Sequence, residues 1–544
     1  VKGVPETIDL HRYQSTNDIA SEAFKSFKDR PAFHNMGRSI TYGQLDLMST
    51  QFASFLQNQL NMKKGDRIAL MMPNILQYPI ALFGAHKAGL VVVNVNPLYT
   101  ANELEFQLKD SGAEAIVIFA NSAHLVERIK DKTDLKHVIV TRIGDLLDFP
   151  KNHIVNFVLK HVKKMEPTYQ ITGSYTFLQA LFEGDSKAFQ SVEMYADDLA
   201  FLQYTGGTTG VAKGAMLSHG NIVANVTQAG AWFHDTFSKG QEVIITPLPL
   251  YHIFSLTANC LYFSSMGGLN VLITNPRDLP GFIKELKKWK FTAFTGVNTL
   301  FNGLLNHEKF KEVDFSHLKL SLGGGMAVQK AVADRWKSVT KKTLLEAYGL
   351  TETSPAACIN PINLEDFNGY IGLPISSTEA KIIDDEENEL AIDEIGEICI
   401  RGPQVMKGYW QRPEETSKVM TKDGYFKTGD LGFMTEMGYI KLVDRKKDMI
   451  LVSGFNVYPN EVEDVIALHP KVLEVAAIGE PDERSGEVVK VYIVPKDKTI
   501  TASEVIKFAK EKLTGYKVPK YVEFRDHLPK TNVGKILRKD LRVK

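Results

Sequence analysis

The sequence predicts an α/β protein with two parts. The first is a large N-terminal domain of mainly parallel sheets with flanking helices and a β-rich subdomain; the second is a small α+β C-terminal domain. Three observations predict this. Short β-branched runs alternate with helix-like segments along most of the chain, the pattern turns strand-rich near residue 380, and a polar cluster, Arg445-Lys446-Lys447-Asp448, precedes a fresh α+β pattern that runs to residue 544. Repeated βαβ order needs crossover helices, and so a parallel sheet covered on its faces.

Residues 65–71 read as a turn and a strand, 78–89 as a helix, and the apolar run 90–95 as a buried strand. Residues 113–118 and 199–202 read as further strands, and 380–383 and 396–401 as strands of the smaller β-rich unit. After the polar cluster, Val457-Tyr458-Pro459-Asn460 reads as a strand end and a helix start, with Asn460 and Glu463 at the spacing of a capping box. The expected division is 1–443, a linker at 444–448, and 449–544.

Length and composition exclude several classes. A chain of 544 residues exceeds one ordinary domain. Lys+Arg and Asp+Glu are both 64, so no global charge steers the protein to nucleic acid. Cys260, Cys358 and Cys399 are widely spaced, which argues against a disulfide framework or a zinc site and for a reducing, cytoplasmic setting. No apolar run approaches the roughly 20 residues of a spanning helix, and no signal-peptide pattern opens the sequence.

The strongest local signal is Tyr204-Thr205-Gly206-Gly207-Thr208-Thr209-Gly210-Val211-Ala212-Lys213-Gly214, directly after a strand-like run. Glycines let backbone N–H groups approach an anion, while Thr205, Thr208 and Thr209 add hydroxyls and Lys213 a positive charge. The pattern suits a polyphosphate cradle. It is not a Walker A loop, which ends Gly-Lys-Ser/Thr, because Gly214 follows Lys213.

Residues 151–165 carry a second pattern. Ile154, Val155, Phe157, Val158, Val162 and Met165 fall on one side of a helix, and Lys160, Lys163 and Lys164 on the other. Two readings stay open: a basic amphipathic helix on an anionic lipid surface, or an ordinary surface helix packed on the core.

Further segments place polar groups at strand ends or turns. Glu346-Ala347-Tyr348-Gly349-Leu350-Thr351-Glu352-Thr353 sets a hydroxyl beside a carboxylate, and Tyr425-Phe426-Lys427-Thr428-Gly429-Asp430-Leu431-Gly432 reads as a turn presenting one Asp. Val443-Asp444-Arg445-Lys446-Lys447-Asp448-Met449-Ile450 sits at the expected boundary, and Pro529-Lys530-Thr531-Asn532-Val533-Gly534-Lys535-Ile536-Leu537-Arg538 lies near the end. With the Gly/Thr loop, these five motifs in this order resemble the adenylate-forming superfamily of acyl-CoA synthetases, luciferases and peptide-synthetase adenylation domains, from about residue 35 to the end. Residues 93–100 and 444–463 further resemble the bacterial long-chain fatty acid–CoA ligases.

The resemblance implies an adenylate-forming fold with a mobile C-terminal domain. The implied reaction is fatty acid + ATP + CoA giving acyl-CoA, AMP and pyrophosphate, with Mg²⁺ as cofactor. It also implies the roles. Thr205, Gly206, Gly207, Thr208, Thr209, Gly210 and Lys213 would hold the β- and γ-phosphates. Glu352 would bind Mg²⁺, and Thr351 would touch the α-phosphate. Gly323, Gly324 and Gly325 with Met326 would line the adenine side, Tyr348 would stack on it, Gly349 would belong to the same ATP site, and Asp430, with Arg445 nearby, would take the ribose. Lys535 would bridge the carboxylate and α-phosphate, Gly454 would flank the CoA tunnel, and Lys447 would be the pivot. His252 is either a packed core histidine or, with Phe254, Leu256, Val297 and Leu300, part of the acyl pocket. Some long-chain relatives carry a gating Trp after the His segment; Ser255 and Leu256 stand there instead, so the gate does not carry over.

These residue types suit the chemistry. A carboxylate, with an ordinary pKa of about 4.3, is already ionised and needs no general base. Its difficulty is attacking a polyanion, so catalysis rests on positioning and electrostatics. Expected partners are fatty acid, ATP and CoA, with peripheral contact to an anionic membrane through 151–165 on the inner face as the open alternative. No nucleic acid is expected, and a homodimer stays open. Another acid–CoA ligase (medium-chain or aryl), a luciferase-like oxygenase, a motion-coupled NTPase and a non-catalytic lipid- or nucleotide-binding protein are the rivals.

Overall fold

The computed structural model describes residues 1–185, 189–205, 212–531 and 533–542. Among these residues four sheets form. One has seven strands, in the order Tyr175–Thr176, His137–Thr141, Ala115–Phe119, Arg67–Met71, Val91–Asn94, Leu199–Thr205, Lys213–Ser218. All its neighbours are parallel except the last pair, which form a hairpin around the Gly/Thr loop. The second sheet has nine strands. Leu344–Gly349, Leu320–Gly324, Ala293–Gly296, Val243–Thr246, Leu269–Leu272 and Pro31–Asn35 run parallel through its middle, with antiparallel strands at both edges.

Period-two alternation explains the layering. On Arg67–Met71, Ile68 and Leu70 belong to the core cluster shared by both sheets, while Ala69 and Met71 belong to the cluster on the opposite face. Helices Tyr42–Asn58, Gln77–Lys87 and His219–Trp232 share that common cluster, and Ala101–Ser111 and Ala123–Ile129 cover the outer face of the seven-stranded sheet. Lys330–Thr340 carries Trp336 onto the outer face of the nine-stranded one. Strands buried on both sides read as unbroken apolar runs, which is why Val91–Asn94 sits inside the expected 90–95.

The β-rich unit is an antiparallel four-stranded sheet of Glu379–Ile383, Gly396–Arg401, Phe426–Met434 and Ile440–Arg445. The smaller C-terminal α+β unit has a five-stranded sheet dominated by the long hairpin Val472–Asp482 and Gly486–Pro495. Helices Pro459–Ala467 and Ala502–Lys510 pack on one face, and the tail, through Leu528, Ile536 and Leu541, packs on the other.

Two expectations need correction. Asp430 does not sit in a turn: it is inside the strand Phe426–Met434, opposite Arg445, and Gly429 at φ 74° lets the ladder continue past the motif. Asn460 and Glu463 do not form a capping box. Tyr458 is the N-cap, the Asn460 N–H is taken by Asp444 Oδ2 at 2.7 Å, and Glu463 turns to Ala477 and Arg538. Of the two readings open for residues 151–165, packing is only partial: Val155, Val158 and Leu159 are half-buried, and Asn156 accepts from the Gly144 N–H at 2.9 Å. The helix Lys151–Phe157 continues as a π-helical turn, Val158–Val162, with no buried side chain, and Phe149, Ile154, Phe157 and Val162 are 56–82% exposed. Among the described residues no helix is long and apolar enough to cross a membrane.

Candidate active site

A cavity of about 820 Å³, counting its open mouth, lies where the parallel strands Leu320–Gly324 and Leu344–Gly349 end. The carboxyl edge of an open α/β sheet is where such folds bind ligands. Gly324, Gly325, Tyr348, Gly349 and Thr351, all just at or past those strand ends, form one wall. His252 and Phe254 form another, from the helix start after Val243–Thr246. The rest is mostly apolar: Ala229, Phe233, Ala258, Tyr262, Phe263, Leu320 and Leu322.

Lys535 reaches this cavity from the C-terminal tail. Glycines on both sides make the approach possible. A Cβ on Gly325, at φ 77°, would lie 3.1 Å from Lys535 Cε, and one on Gly534 would lie 2.8 Å from Thr299 Oγ1. The Thr299 hydroxyl donates to the Gly534 carbonyl at 2.8 Å, and Asn302 Nδ2 to the Leu473 carbonyl at 2.9 Å, so the small unit is docked on the large one. Behind the tail, the Tyr492 hydroxyl donates to the Leu541 carbonyl at 2.9 Å.

Around Lys535 stands a balanced set of charges. Asp430, 4% exposed, accepts from the Tyr348 hydroxyl at 2.7 Å and pairs with Arg445 Nε at 3.3 Å. Burial pushes its carboxyl up, and Arg445 opposes the shift. Burial raises Glu352 as well, against the Tyr409 hydroxyl, which donates to Oε1 at 2.8 Å. Lys535 is lowered to about 8, first by burial and then by Arg445, with Asp430 and Glu352 opposing. His252 is lowered to about 3 by burial and then by Lys535, so its ring is neutral at ordinary pH; its Nδ1 accepts from the Phe254 N–H at 3.3 Å. The site can therefore hold an anion between Lys535 and the Gly325 turn, beside an apolar chamber.

Residues 20–410 match the AMP-binding enzyme family, and 461–535 match the AMP-binding enzyme C-terminal domain. The chain belongs to the AMP-binding enzyme family. It is 56% identical over 539 residues to a long-chain-fatty-acid–CoA ligase of Escherichia coli O157:H7, covering 99% of this chain and 96% of that one. It is 37% identical to the long-chain-fatty-acid–CoA ligase of Bacillus subtilis (strain 168), with 99% and 96% covered. Among solved structures, ATP-bound MatB from Rhodopseudomonas palustris superposes with a TM-score of 0.83 at 28% identity, covering 97% and 98%. A Mycobacterium tuberculosis fatty acyl CoA synthetase gives 0.70 at 25% identity, with 97% of each chain covered.

In this AMP-binding enzyme the remaining sequence candidates fall in several places. Gly206, Gly207, Thr208, Thr209 and Gly210 lie outside the described residues; Thr205 and Lys213 face each other at the ends of the flanking strands. Of the acyl-pocket candidates, Phe254 lines the cavity, while Leu256 is fully buried in the shared core and Val297 and Leu300 are not on its wall. Val297 lies instead beside both glycines, 3.8 Å from a Cβ built on Gly325 and 3.2 Å from one built on Gly534. Gly454 is away from the cavity, at φ 85° with nothing within 4 Å of a Cβ built on it. Lys447 lies in the turn between Ile440–Arg445 and Ile450–Val452. Sequence reasoning missed Tyr409 and Glu415, which hold Glu352 and Lys213. Their only local signal is the run Gly408-Tyr409-Trp410-Gln411-Arg412-Pro413, with Pro413 opening the helix Pro413–Lys418.

Proposed function

We propose that this protein is an ATP-dependent long-chain fatty acid–CoA ligase that works in two steps through an acyl-AMP. The observation that carries the proposal is Lys535, delivered by the C-terminal unit into a mostly apolar cavity beside Gly325, His252 and the Glu352–Asp430 pair. In the first step a carboxylate oxygen attacks the α-phosphorus and the bond to pyrophosphate breaks. Lys535 sits where its ammonium offsets the charge gathering between the two anions. Tyr348 and Gly324–Gly325 lie along adenine, Asp430 with Arg445 takes the ribose, Thr351 meets the α-phosphate, and Lys213 with the Gly/Thr loop holds the outer phosphates. In the second step the CoA sulfur attacks the acyl carbonyl and AMP leaves. Gly454 flanks the thiol channel in that step, and residues 444–448, pivoting at Lys447, join the units 1–443 and 449–544.

Glu352 is the residue that would hold Mg²⁺. A single buried carboxylate, with one oxygen already fixed by Tyr409, is a donor set that suits a cation taking most of its oxygens from phosphate and water. When bound, the metal supplies charge neutralisation on the phosphates.

Peripheral contact with an anionic bilayer through 151–165 belongs to the same proposal. Supporting it are the exposed Phe149, Ile154, Phe157, Val162 and Met165 beside Lys160, Lys163 and Lys164. The experiment that tests the central reading is ATP–pyrophosphate exchange with straight-chain acids from acetate to stearate and with aryl acids. Highest kcat/KM with the long acids is expected; highest kcat/KM with aryl acids would favour a relation to the 4-coumarate–CoA ligase of Petroselinum crispum, 32% identical over 551 residues.

A further inference from the structure

Three residues beyond Lys535, Arg538 gathers contacts from both sides of Lys447. Its Nε and Nη2 each donate to Glu463 at 2.9 Å, Nη2 also donates to Asn460 Oδ1 at 2.5 Å, and Nη1 donates to Asp444 Oδ1 at 3.0 Å. Asp448 Oδ2 lies 3.7 Å from Nη1. The Asp444 side chain has no exposed surface, and its other oxygen accepts the Asn460 N–H at 2.7 Å.

These partners divide unequally about Lys447. Asp444 precedes it, on the strand Ile440–Arg445 of the β-rich sheet, and its neighbour Arg445 holds Asp430. Asp448, Asn460 and Glu463 follow it and travel with Arg538. A rotation at Lys447 therefore leaves the Arg538–Glu463 fork intact and parts Arg538 from Asp444, a buried pair that is costly to separate without new partners. We infer that Asp444 and Arg538 form a catch specific to the arrangement with Lys535 in the cavity, and that Asp444 is a positioning residue for acyl-AMP formation alone. The inference rests on the proposed two-step ligase reading. It assigns Asp444 a part in timing: the catch fastens Lys535 for the first step, and its release permits the second.

The test measures the two half-reactions separately in the full chain: ATP–pyrophosphate exchange, and conversion of supplied acyl-AMP and CoA to acyl-CoA. Asp444→Asn is expected to lower the kcat of exchange about tenfold, in the range of a two-state coupling. KM for ATP and fatty acid should stay near wild type, and transfer should be unchanged or faster. Arg538→Lys should regain part of the exchange that Arg538→Met loses. Glu463→Gln, whose contact to Arg538 survives rotation, should leave the ratio of the two half-reactions nearer wild type than Asp444→Asn does. Equal loss of both half-reactions in Asp444→Asn, with a lowered Tm, overturns the catch and leaves a fold contact. Normal exchange in Asp444→Asn overturns it too. A wild-type protein with no exchange on any acid would defeat the ligase reading itself, a distinct result.

Discussion

Lys213 donates to Glu415 Oε2 at 2.5 Å, although the two are 202 residues apart in the chain. The same ammonium lies 5.0 Å from the centre of the Tyr409 ring. If Lys213 faces the outer phosphates of ATP, Glu415 competes with them for it. Prediction: Glu415→Gln lowers KM for ATP, by about fivefold at most because the pair is solvent-screened, while KM for CoA is unmoved. Lys213→Ala should shift KM for ATP the other way. Steady-state kinetics at constant ionic strength checks both, and a higher KM in Glu415→Gln would show that the carboxylate positions Lys213 instead of competing for it.

The Glu352–Tyr409 pair yields a second prediction. Glu352→Gln keeps the size and removes the charge proposed to hold Mg²⁺, so acyl-AMP formation should fall on the order of 10²-fold, with partial recovery at high Mg²⁺. Tyr409→Phe removes the hydrogen bond that opposes the burial shift, so Glu352 should titrate at higher pH. The carboxylate is the working form, and protonation removes it. The acid limb of kcat/KM should therefore move to higher pH in Tyr409→Phe, and an unmoved limb would sever Glu352 from that limb.

How much of this could be read beforehand depends on whether the cause is local. Val91–Asn94, Ala115–Phe119 and Gln77–Lys87 follow from apolar runs and helical spacing within a few residues, and they fall close to where those patterns lie. The convergence of Tyr348, Asp430, Arg445 and Lys535 followed from motif order, since no single segment shows it. Tyr409 and Glu415 left no such trace: their partners lie 57 and 202 residues away, and a lone Tyr or Glu looks the same whether paired or solvated. Arg538 closes the last motif, but nothing local names its partner Asp444, 94 residues away. The misread capping box has the same origin, because Asp444 claims the Asn460 N–H from outside the helix.

Prediction for the helix at 151–165: Lys160, Lys163 and Lys164 changed together to Glu should reduce binding to phosphatidylserine-containing vesicles on the order of a hundredfold or more. Lys163 and Lys164 form no ion pair among the described residues, and Lys160 lies 3.8 Å from Glu166, so little folded-state structure depends on them. Vesicle sedimentation reads the effect, and exchange with short soluble acids should persist. Undiminished binding to anionic vesicles would remove the lipid reading.

Lys535 gives a prediction in pH. Its ammonium is held near a pKa of about 8 by burial and Arg445. The charged form predominates below that value and is lost above it. For acyl-AMP formation, kcat/KM, which reports the free enzyme, should fall as pH rises through about 8. The transfer half-reaction should show no such limb. Lys535→Ala should lose acyl-AMP formation by several orders of magnitude, on the order of 10³-fold, yet convert supplied acyl-AMP at a near-normal rate. Normal adenylation in that variant would mean that the ammonium reaching the cavity does not act on the reaction.

The arrangement with Lys535 in the cavity is not set for the transfer step. With Lys535 in the cavity, a Cβ added at Gly454 meets no atom within 4 Å. Its φ of 85° makes any L residue strained by about 1–2 kcal/mol, which lowers stability modestly without touching the ATP site. Gly454→Leu should therefore make acyl-AMP and pyrophosphate at a near-normal rate and fail to pass the acyl group to CoA. Lys447→Pro should give the same split for a different reason. Among the described residues the Lys447 N–H makes no hydrogen bond, so proline breaks none, but it fixes φ near −65° and limits the rotation. The two causes separate on CoA concentration: a narrowed channel raises the apparent KM for CoA, whereas a stiffened pivot lowers the transfer rate at saturating CoA. Rapid-quench measurement of acyl-AMP and acyl-CoA in one turnover distinguishes them. Parallel loss of both half-reactions in Lys447→Pro would leave the turn a structural connection with no part in alternation.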